Sequence, residues 1–288
     1  MGTKAKVAFG VPTYGSQDPT WWVPFARQVG LLHIYDIEFV DVIQHGTMRT
    51  DGNRNVISRR FLSTEAEWLF WVDADNINPI ASVRRLLDTA GDNRTLVSGL
   101  YYTKIDNPNP VVYTDAKHGR YRPLGQWERG EIIPVEAAGM NCCLMHRSVL
   151  EDIDKNYVTL RMTCGGDIAV HRDDIVGDVF EEKEDETDNK IIDGQWRFRV
   201  FAPAEPANVP FFELRFGRTE DMGFFEKARR VGHQLWLDTS VESGHLRQVP
   251  VTGKEYREGT NSRHWVRSTG EESVAEFDPE DDHLFTIP

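Results

Sequence analysis

Four short stretches of this 288-residue chain carry side chains whose types and placement can do chemistry together. The first is Asp73-Ala74-Asp75, directly after the apolar run Trp68-Leu69-Phe70-Trp71-Val72. Alternating acids at the carboxyl end of a buried strand stand at the sheet crevice where α/β proteins bind ligands. Their oxygens suit Mg²⁺ or Mn²⁺, and such an ion can neutralise a diphosphate. The bare tripeptide is equally a turn with solvated acids, since Asp152-Ile153-Asp154 repeats the pattern without a comparable strand before it.

The second stretch, Gly10-Val11-Pro12-Thr13-Tyr14-Gly15, closes a strand-like run that begins at Lys6. It lacks the Gly-x-Gly-x-x-Gly of a dinucleotide fold and the Lys-Ser/Thr ending of a P-loop, which lowers both classes. Thr13 and its neighbouring backbone could contact a nucleotide with Tyr14 near its base; an ordinary strand-to-helix turn fits as well. The third is Thr219-Glu220-Asp221 at a helix start, where acids are expected on electrostatic grounds alone. Beside a metal crevice the same pair could supply a base for an acceptor hydroxyl. The fourth is Gly244-His245, shortly after Leu235-Trp236-Leu237-Asp238, where a neutral imidazole is a metal ligand or a plain loop residue.

The elements that must position these groups follow from periodicity. Lys6 to Phe9 with Val11, Ile37 to Ile43, Trp68 to Val72 and Leu96 to Leu100 read as strands. Between them lie three helical patterns. The first is capped by Asp18, with Pro19 at its first position and Trp22, Phe25, Val29 and Leu32 on one face. The second runs through Val56, Ile57, Arg60 and Phe61. The third is capped by Asn78 and turns Ile80, Val83, Leu87 and Ala90 inward. This alternation predicts an α/β fold with a mostly parallel sheet flanked by helices. Turn residues cluster from Asn107 to Pro110 and from Lys117 to Gly130, so the second half should be less regular. Cys142 to His146 reads as a further strand, Ser148 as the cap of a short helix, and Asp221 to Val231 as a helix before the strand Leu235 to Leu237. There is no internal repeat.

Composition bounds the class. With 40% hydrophobic residues and eight Trp, the chain can fill a sizeable core. The formal charge of -13 is concentrated: residues 151–190 carry thirteen acids against five bases, and residues 271–282 carry seven acids and no base. The remainder is close to neutral and compatible with a phosphate-bearing ligand. Three cysteines, two of them adjacent, fit neither a disulfide framework nor a paired zinc site, and point to a reducing, cytoplasmic setting. No run approaches the length needed to span a bilayer, so no membrane insertion is expected.

Taken in order, the strand-loop, the strand ending in Asp-x-Asp, the Glu-Asp helix and the late Gly-His resemble the GT-A-fold glycosyltransferases, in particular family 2-like enzymes of bacteria and their phages. The matching stretches are Val7 to Tyr14, Arg54-Asn55 through Asp75-Asn76, Val135 to Glu151, and Thr219 to His245, about half the chain. The last is the most specific, with Glu-Asp, an aromatic helix, Arg-Val-Gly-His, Leu-Trp-Leu-Asp and Gly-His in sequence.

The resemblance implies one Rossmann-like GT-A domain over residues 1–268. Its nucleotide-sugar half is 1–105 and its irregular acceptor-side half is 106–268, with an acidic loop at 167–190 and a weakly ordered acidic tail at 269–288. It implies a hexosyltransferase-like activity, inverting, from a nucleotide-diphosphate sugar such as a UDP-sugar to an acceptor hydroxyl, in the host cytoplasm if the protein is phage-encoded. Asp75 and His245 would hold Mn²⁺ or Mg²⁺, Asp73 would touch metal or ribose, and Asp221 would be the base with Glu220 as understudy. Pro12, Thr13 and Tyr14 would line the nucleotide pocket, with Asp41 and Arg54 as weaker contacts. The Ala138-Gly139-Met140-Asn141 turn would approach donor and acceptor.

The segments 167–190 and 195–210 have no family role to carry over, so the acceptor stays open between glycan, protein and a modified nucleobase in DNA. Arg49, Arg54, Arg59 and Arg60, with Lys117, Arg120, Arg122 and Arg129, would form the basic patches that DNA requires, or are solvated faces. Trp196, Trp127 and Tyr121 are stacking candidates or packing residues. Two further classes share the carboxylates: a metal-dependent nucleotide-sugar or phosphodiester hydrolase, and a binding protein that has lost turnover.

Overall fold

The computed structural model describes residues 4–13, 19–91, 93–104, 108–117, 120–162, 167–174, 190–192, 195–197, 200–201, 209–214 and 218–246. Strand β1 (Lys6–Pro12) sends Ala8 into one apolar layer and Val7, Phe9 and Val11 into another, as alternation along a strand requires. It is followed by α1 (Pro19–Gly30), β2 (Glu38–His45), α2 (Thr50–Leu62), β3 (Trp68–Trp71), the short β4 (Asn76–Ile77), α3 (Ser82–Ala90) and β5 (Leu96–Leu100). The second half contains β6 (Val112–Lys117), β7 (Arg120–Pro123), β8 (Ile132–Val135), β9 (Ala137–Ala138), β10 (Cys143–His146) and α4 (Arg147–Asn156). After these come β11 (Tyr157–Met162), β12 (Asp167–His171), β13 (Lys190–Ile192), β14 (Gln195–Arg197), β15 (Val200–Phe201), α5 (Glu220–Arg230), β16 (Leu235–Glu242) and β17 (Gly244–His245).

The central sheet has seven strands in the order β2-β1-β3-β10-β5-β16-β8. β1 runs parallel to β2 and β3, and β16 parallel to β5; β10 is antiparallel to both β3 and β5, and β8 to β16. Five strands therefore share one direction and end at one edge. This is the mostly parallel α/β sheet that the sequence predicts. One face buries Leu69, Trp71, Leu237, Phe211, Phe212, Phe224 and Phe225 with Ile57 and Phe61 of α2 and Val149 and Ile153 of α4. The other buries Phe9, Phe70, Val72 and Leu144 with Trp21 and Phe25 of α1 and Val83 and Leu86 of α3. No helix among the described residues is long and apolar enough to cross a membrane.

Three local expectations need correction. Helix α1 turns Trp21 inward in place of Trp22, which is 41% exposed, while Phe25 and Val29 face the core as expected. Trp21 stacks on Phe25 at 4.7 Å and its indole N–H donates to the Asp73 carbonyl at 3.0 Å, a polar tie that periodicity cannot report. The expected cap Asp18 lies outside the described residues. Helix α3 begins at Ser82, because Asn78 uses its side-chain oxygen to accept from Ser243 at 2.6 Å and from Asn141 at 3.2 Å. Finally, the segment expected as an acidic loop from Asp167 opens with β12, paired antiparallel to β11. Ala169 there is buried and its N–H donates to Glu213 at 2.8 Å. Of the acids that suggested a loop, Asp173 and Asp174 follow β12, and Asp174 pairs with Arg230. Residues 175–189 and the tail 269–288 lie outside the described residues.

Candidate active site

The sheet edge where the five co-directional strands end is built by Gly10 as much as by the acids. A side chain at Gly10 would come within 2.9 Å of the Trp71 ring and 3.0 Å of Ile57, so β1 and α2 close on β3 only because that position is bare. Past Trp71 the chain is fixed from three sides. Val72 N–H donates to the Gly10 carbonyl at 3.0 Å, Asp73 N–H to Asn141 Oδ1 at 3.1 Å, and Cys142 N–H to the Trp71 carbonyl at 3.0 Å. Asn141 is fully buried, so the backbone of the Asp-x-Asp turn is held by a rigid neighbour.

At the centre lies Arg54, projected from α2 and 3% exposed. Its guanidinium lies against the edge-to-face pair of Trp71 and Phe212, 5.7 and 5.8 Å from their ring centroids. Nη1 donates to Asp221 Oδ1 at 2.7 Å and Nη2 to Asp73 Oδ1 at 3.1 Å. Nε is 3.9 Å from Glu220 and has no hydrogen-bond partner among the described residues. One buried cation thus faces three carboxylates, leaving an excess of negative charge. Burial pushes the Asp221 carboxyl up to about 7, with Glu220 and Asp73 reinforcing the rise and Arg54 opposing it. Burial likewise raises Asp73. The Tyr101 hydroxyl, desolvated and facing Asp221 and Asp73, is also pushed well up.

Asp75 lies apart from that cluster. Its Oδ1 accepts from Asn76 at 2.8 Å and its Oδ2 from Lys104 at 2.5 Å, with His245 Nε2 at 3.6 Å from the same oxygen. His245 reaches this place because β17 pairs with β4, putting His245 opposite Asn76. Its Nδ1 donates to the Tyr102 carbonyl at 2.7 Å, which aims Nε2 at Asp75. Burial acts to raise the Asp75 carboxyl, but hydrogen bonds and charge from His245 and Lys104 outweigh it and hold it well below the usual range.

The positions singled out from sequence therefore divide. Asp73, Glu220 and Asp221 meet at Arg54, and Asp75 meets His245. Asp73 turns its carboxylate to Arg54, and among the described residues no group of three His, Cys, Asp or Glu side chains is placed to hold a metal. Pro12 ends β1 beside His45, and Thr13 is buried with its N–H on the His45 carbonyl at 2.9 Å. Tyr14 lies outside the described residues. Asp41 sits exposed in the middle of the edge strand β2, four residues before its end, where its carboxylate accepts from the N–H of Val42. It is not at the sheet edge that carries the other acids.

Gly139 backs directly onto Tyr101: a side chain there would lie 1.3 Å from the tyrosine oxygen. Gly139→Ala is expected to displace Tyr101 at a cost of about 1–3 kcal/mol. In urea denaturation, adding Tyr101→Ala should then cost less than it does in the parent chain. A strictly additive pair would show that the two positions do not compete for space.

Of the basic residues that suggested a phosphate-facing patch, Arg54 is buried in the acid cluster and Arg59 is held by Asp154 at 2.8 Å and the Val209 carbonyl at 2.7 Å, whereas Arg49 stays largely exposed beside Asp51 at 2.9 Å. Trp127 and Tyr121 are half-buried against the core, and the Trp196 side chain lies outside the described residues. Two residues of the site escaped sequence reasoning, Tyr101 and Lys104, while Asn141 was expected only as part of the turn that approaches donor and acceptor. Tyr101 follows β5 directly, so the rule that singled out Asp73 at the end of β3 applies equally to it.

No protein-family model and no curated protein matches the sequence. Among solved structures the chain is similar to A197 from STIV, with a TM-score of 0.46 and 15% identity over 85% of this chain and 86% of that one. It is also similar to GalNAc-T7 crystallised with UDP, GalNAc and Mn²⁺, with a TM-score of 0.43 and 9% identity over 86% of this chain and 44% of that one.

Proposed function

We propose that the chain is a metal-dependent glycosyltransferase that moves a sugar from a nucleotide-diphosphate sugar, a UDP-sugar in the first instance, to an acceptor hydroxyl with inversion. The observation that carries this reading is the convergence at one sheet edge of Asp73 and Asp75, Glu220 and Asp221, and His245, three motifs widely separated in sequence. Asp75 and His245 fit a Mn²⁺ or Mg²⁺ ion: a carboxylate oxygen and an imidazole nitrogen face each other, and the ring is oriented through its other nitrogen by a backbone carbonyl. When bound, such an ion supplies positive charge to the departing diphosphate.

The chain's own groups do the rest. Thr13 and Pro12 form the floor on which the nucleotide rests, and Asp73, tied down by Asn141 and Arg54, is the ribose contact. Asp221 takes the proton of the acceptor hydroxyl as the new C1–O bond forms and the bond from C1 to the diphosphate oxygen breaks. The proton then leaves to solvent. Arg54 holds the Asp221 carboxylate in place, and the raised proton affinity of that carboxylate is what a base working near neutrality requires. The engagement of Arg54 and Arg59 within the fold favours a glycan or protein hydroxyl over a base in duplex DNA.

Thermal unfolding with UDP, GDP, CDP or TDP tests the donor site. One of these, with Mn²⁺ present and at 100 times its dissociation constant, should stabilise the fold by about 2.7 kcal/mol. Chelation or Asp75→Ala should remove the gain. Stabilisation by none of the four would reject a nucleotide-diphosphate donor.

A further inference from the structure

Lys104 holds the oxygen of Asp75 that faces His245. The separation of Lys104 Nζ from Asp75 Oδ2 is 2.5 Å, and that of His245 Nε2 from the same oxygen is 3.6 Å. The other carboxylate oxygen already accepts from Asn76. Lys104 is no stray surface lysine in its backbone setting. Thr103 N–H donates to the Asn109 carbonyl at 2.9 Å, the Thr103 hydroxyl accepts from Asn109 N–H at 3.0 Å, and Tyr102 bridges to Pro110. Tyr102 also presents the carbonyl that orients His245. The same short stretch therefore aims the imidazole and delivers the ammonium to one carboxylate oxygen.

A divalent ion and the Lys104 ammonium compete for that oxygen. An ammonium within hydrogen-bond distance of Asp75 Oδ2 occupies the region a divalent ion on Asp75 and His245 would need, and like charges that close repel strongly at a partly screened surface. We propose that Lys104 is the internal counter-cation of this site: it satisfies Asp75 in the resting chain, yields the carboxylate when a divalent ion arrives, and then binds the donor's diphosphate. An ammonium on a flexible stem suits that exchange, because it is a point charge with three rotatable donors and does not require the bidentate geometry of a guanidinium. The inference rests on the metal site proposed above and adds to it a residue with two opposed effects, against the metal and for the nucleotide.

The test is the binding of Mn²⁺ alone, followed by electron paramagnetic resonance, and then of UDP at saturating Mn²⁺, followed by calorimetry. Wild type, Lys104→Met and Asp75→Ala are compared. Removing a half-exposed ion pair should tighten Mn²⁺ binding of Lys104→Met roughly fivefold relative to wild type, and should weaken UDP binding by a similar factor. Binding of Mn²⁺ to Lys104→Met but not to wild type overturns the exchange, because the wild-type lysine would then not yield the carboxylate. Equal or weaker Mn²⁺ affinity in Lys104→Met, while Asp75→Ala abolishes binding, overturns the role of Lys104 and leaves the metal site standing. Tighter Mn²⁺ with unchanged UDP affinity overturns the transfer to the diphosphate. Mn²⁺ binding by neither wild type nor Lys104→Met overturns the metal site and this inference together.

Discussion

Asp221→Asn should lower turnover by about 10²–10⁴-fold while leaving donor binding near that of the parent chain. The amide preserves shape but cannot accept a proton, so the loss belongs to the chemical step. The parent chain should also show kcat/KM rising with pH through an acid limb near 7, where Asp221 ionises. The direction follows from the role: a base works only when deprotonated, and burial raises the pH at which that happens. In the variant the limb should disappear. Stability moves the opposite way, because a carboxyl whose proton affinity is raised by folding favours the fold at low pH and loses that contribution as pH rises through about 7. If Glu220→Gln proves the more damaging change, the base is Glu220 and its neighbour is a spectator.

The second large effect concerns Arg54. Replacing it with Met keeps much of the packing against Trp71 and Phe212 but leaves Asp73, Asp221 and Glu220 without their buried cation. Breaking a buried ion pair from one side costs about 3–5 kcal/mol, and a urea midpoint measured near pH 8 should show a loss of that size. The deficit should shrink as pH falls to 5. The folded variant would hold protons on carboxylates that the unfolded chain, with ordinary pKa values near 3.9–4.3, releases. A loss of stability that is the same at both pH values would mean that Arg54 acts through packing alone.

Much of the fold was legible because its signals are local. Trp68 to Trp71 is an uninterrupted apolar run and Leu96 to Leu100 a short one broken only by the small Ser98 and Gly99, as suits strands covered on both faces, and both form as expected. The acids were legible by position: Asp73 and Asp75 follow a buried strand, and Glu220 and Asp221 open a helix. What the sequence hid depends on partners distant in the chain. Arg54 looks like one member of an arginine-rich helix until Asp221, 167 positions away, is found on its guanidinium. Trp21 and Trp22 are equivalent in hydrophobicity, and only the Asp73 carbonyl decides which one turns inward. Ile168 to Val170 were masked by the acids around them, although Ala169 has a buried carboxylate, Glu213, waiting for its N–H. Lys104 carries no motif at all.

The most direct measurement is nucleotide release from UDP-, GDP-, CMP- and TDP-sugars with Mn²⁺, in the parent chain and in Asp75→Ala, because slow donor hydrolysis needs no acceptor. Release from one donor, abolished by chelation and by Asp75→Ala in a chain that still folds, is the predicted result. Release that persists undiminished without metal or without Asp75, or no release from any donor under these conditions, would contradict a metal-dependent sugar transferase built on Asp75, His245 and Asp221.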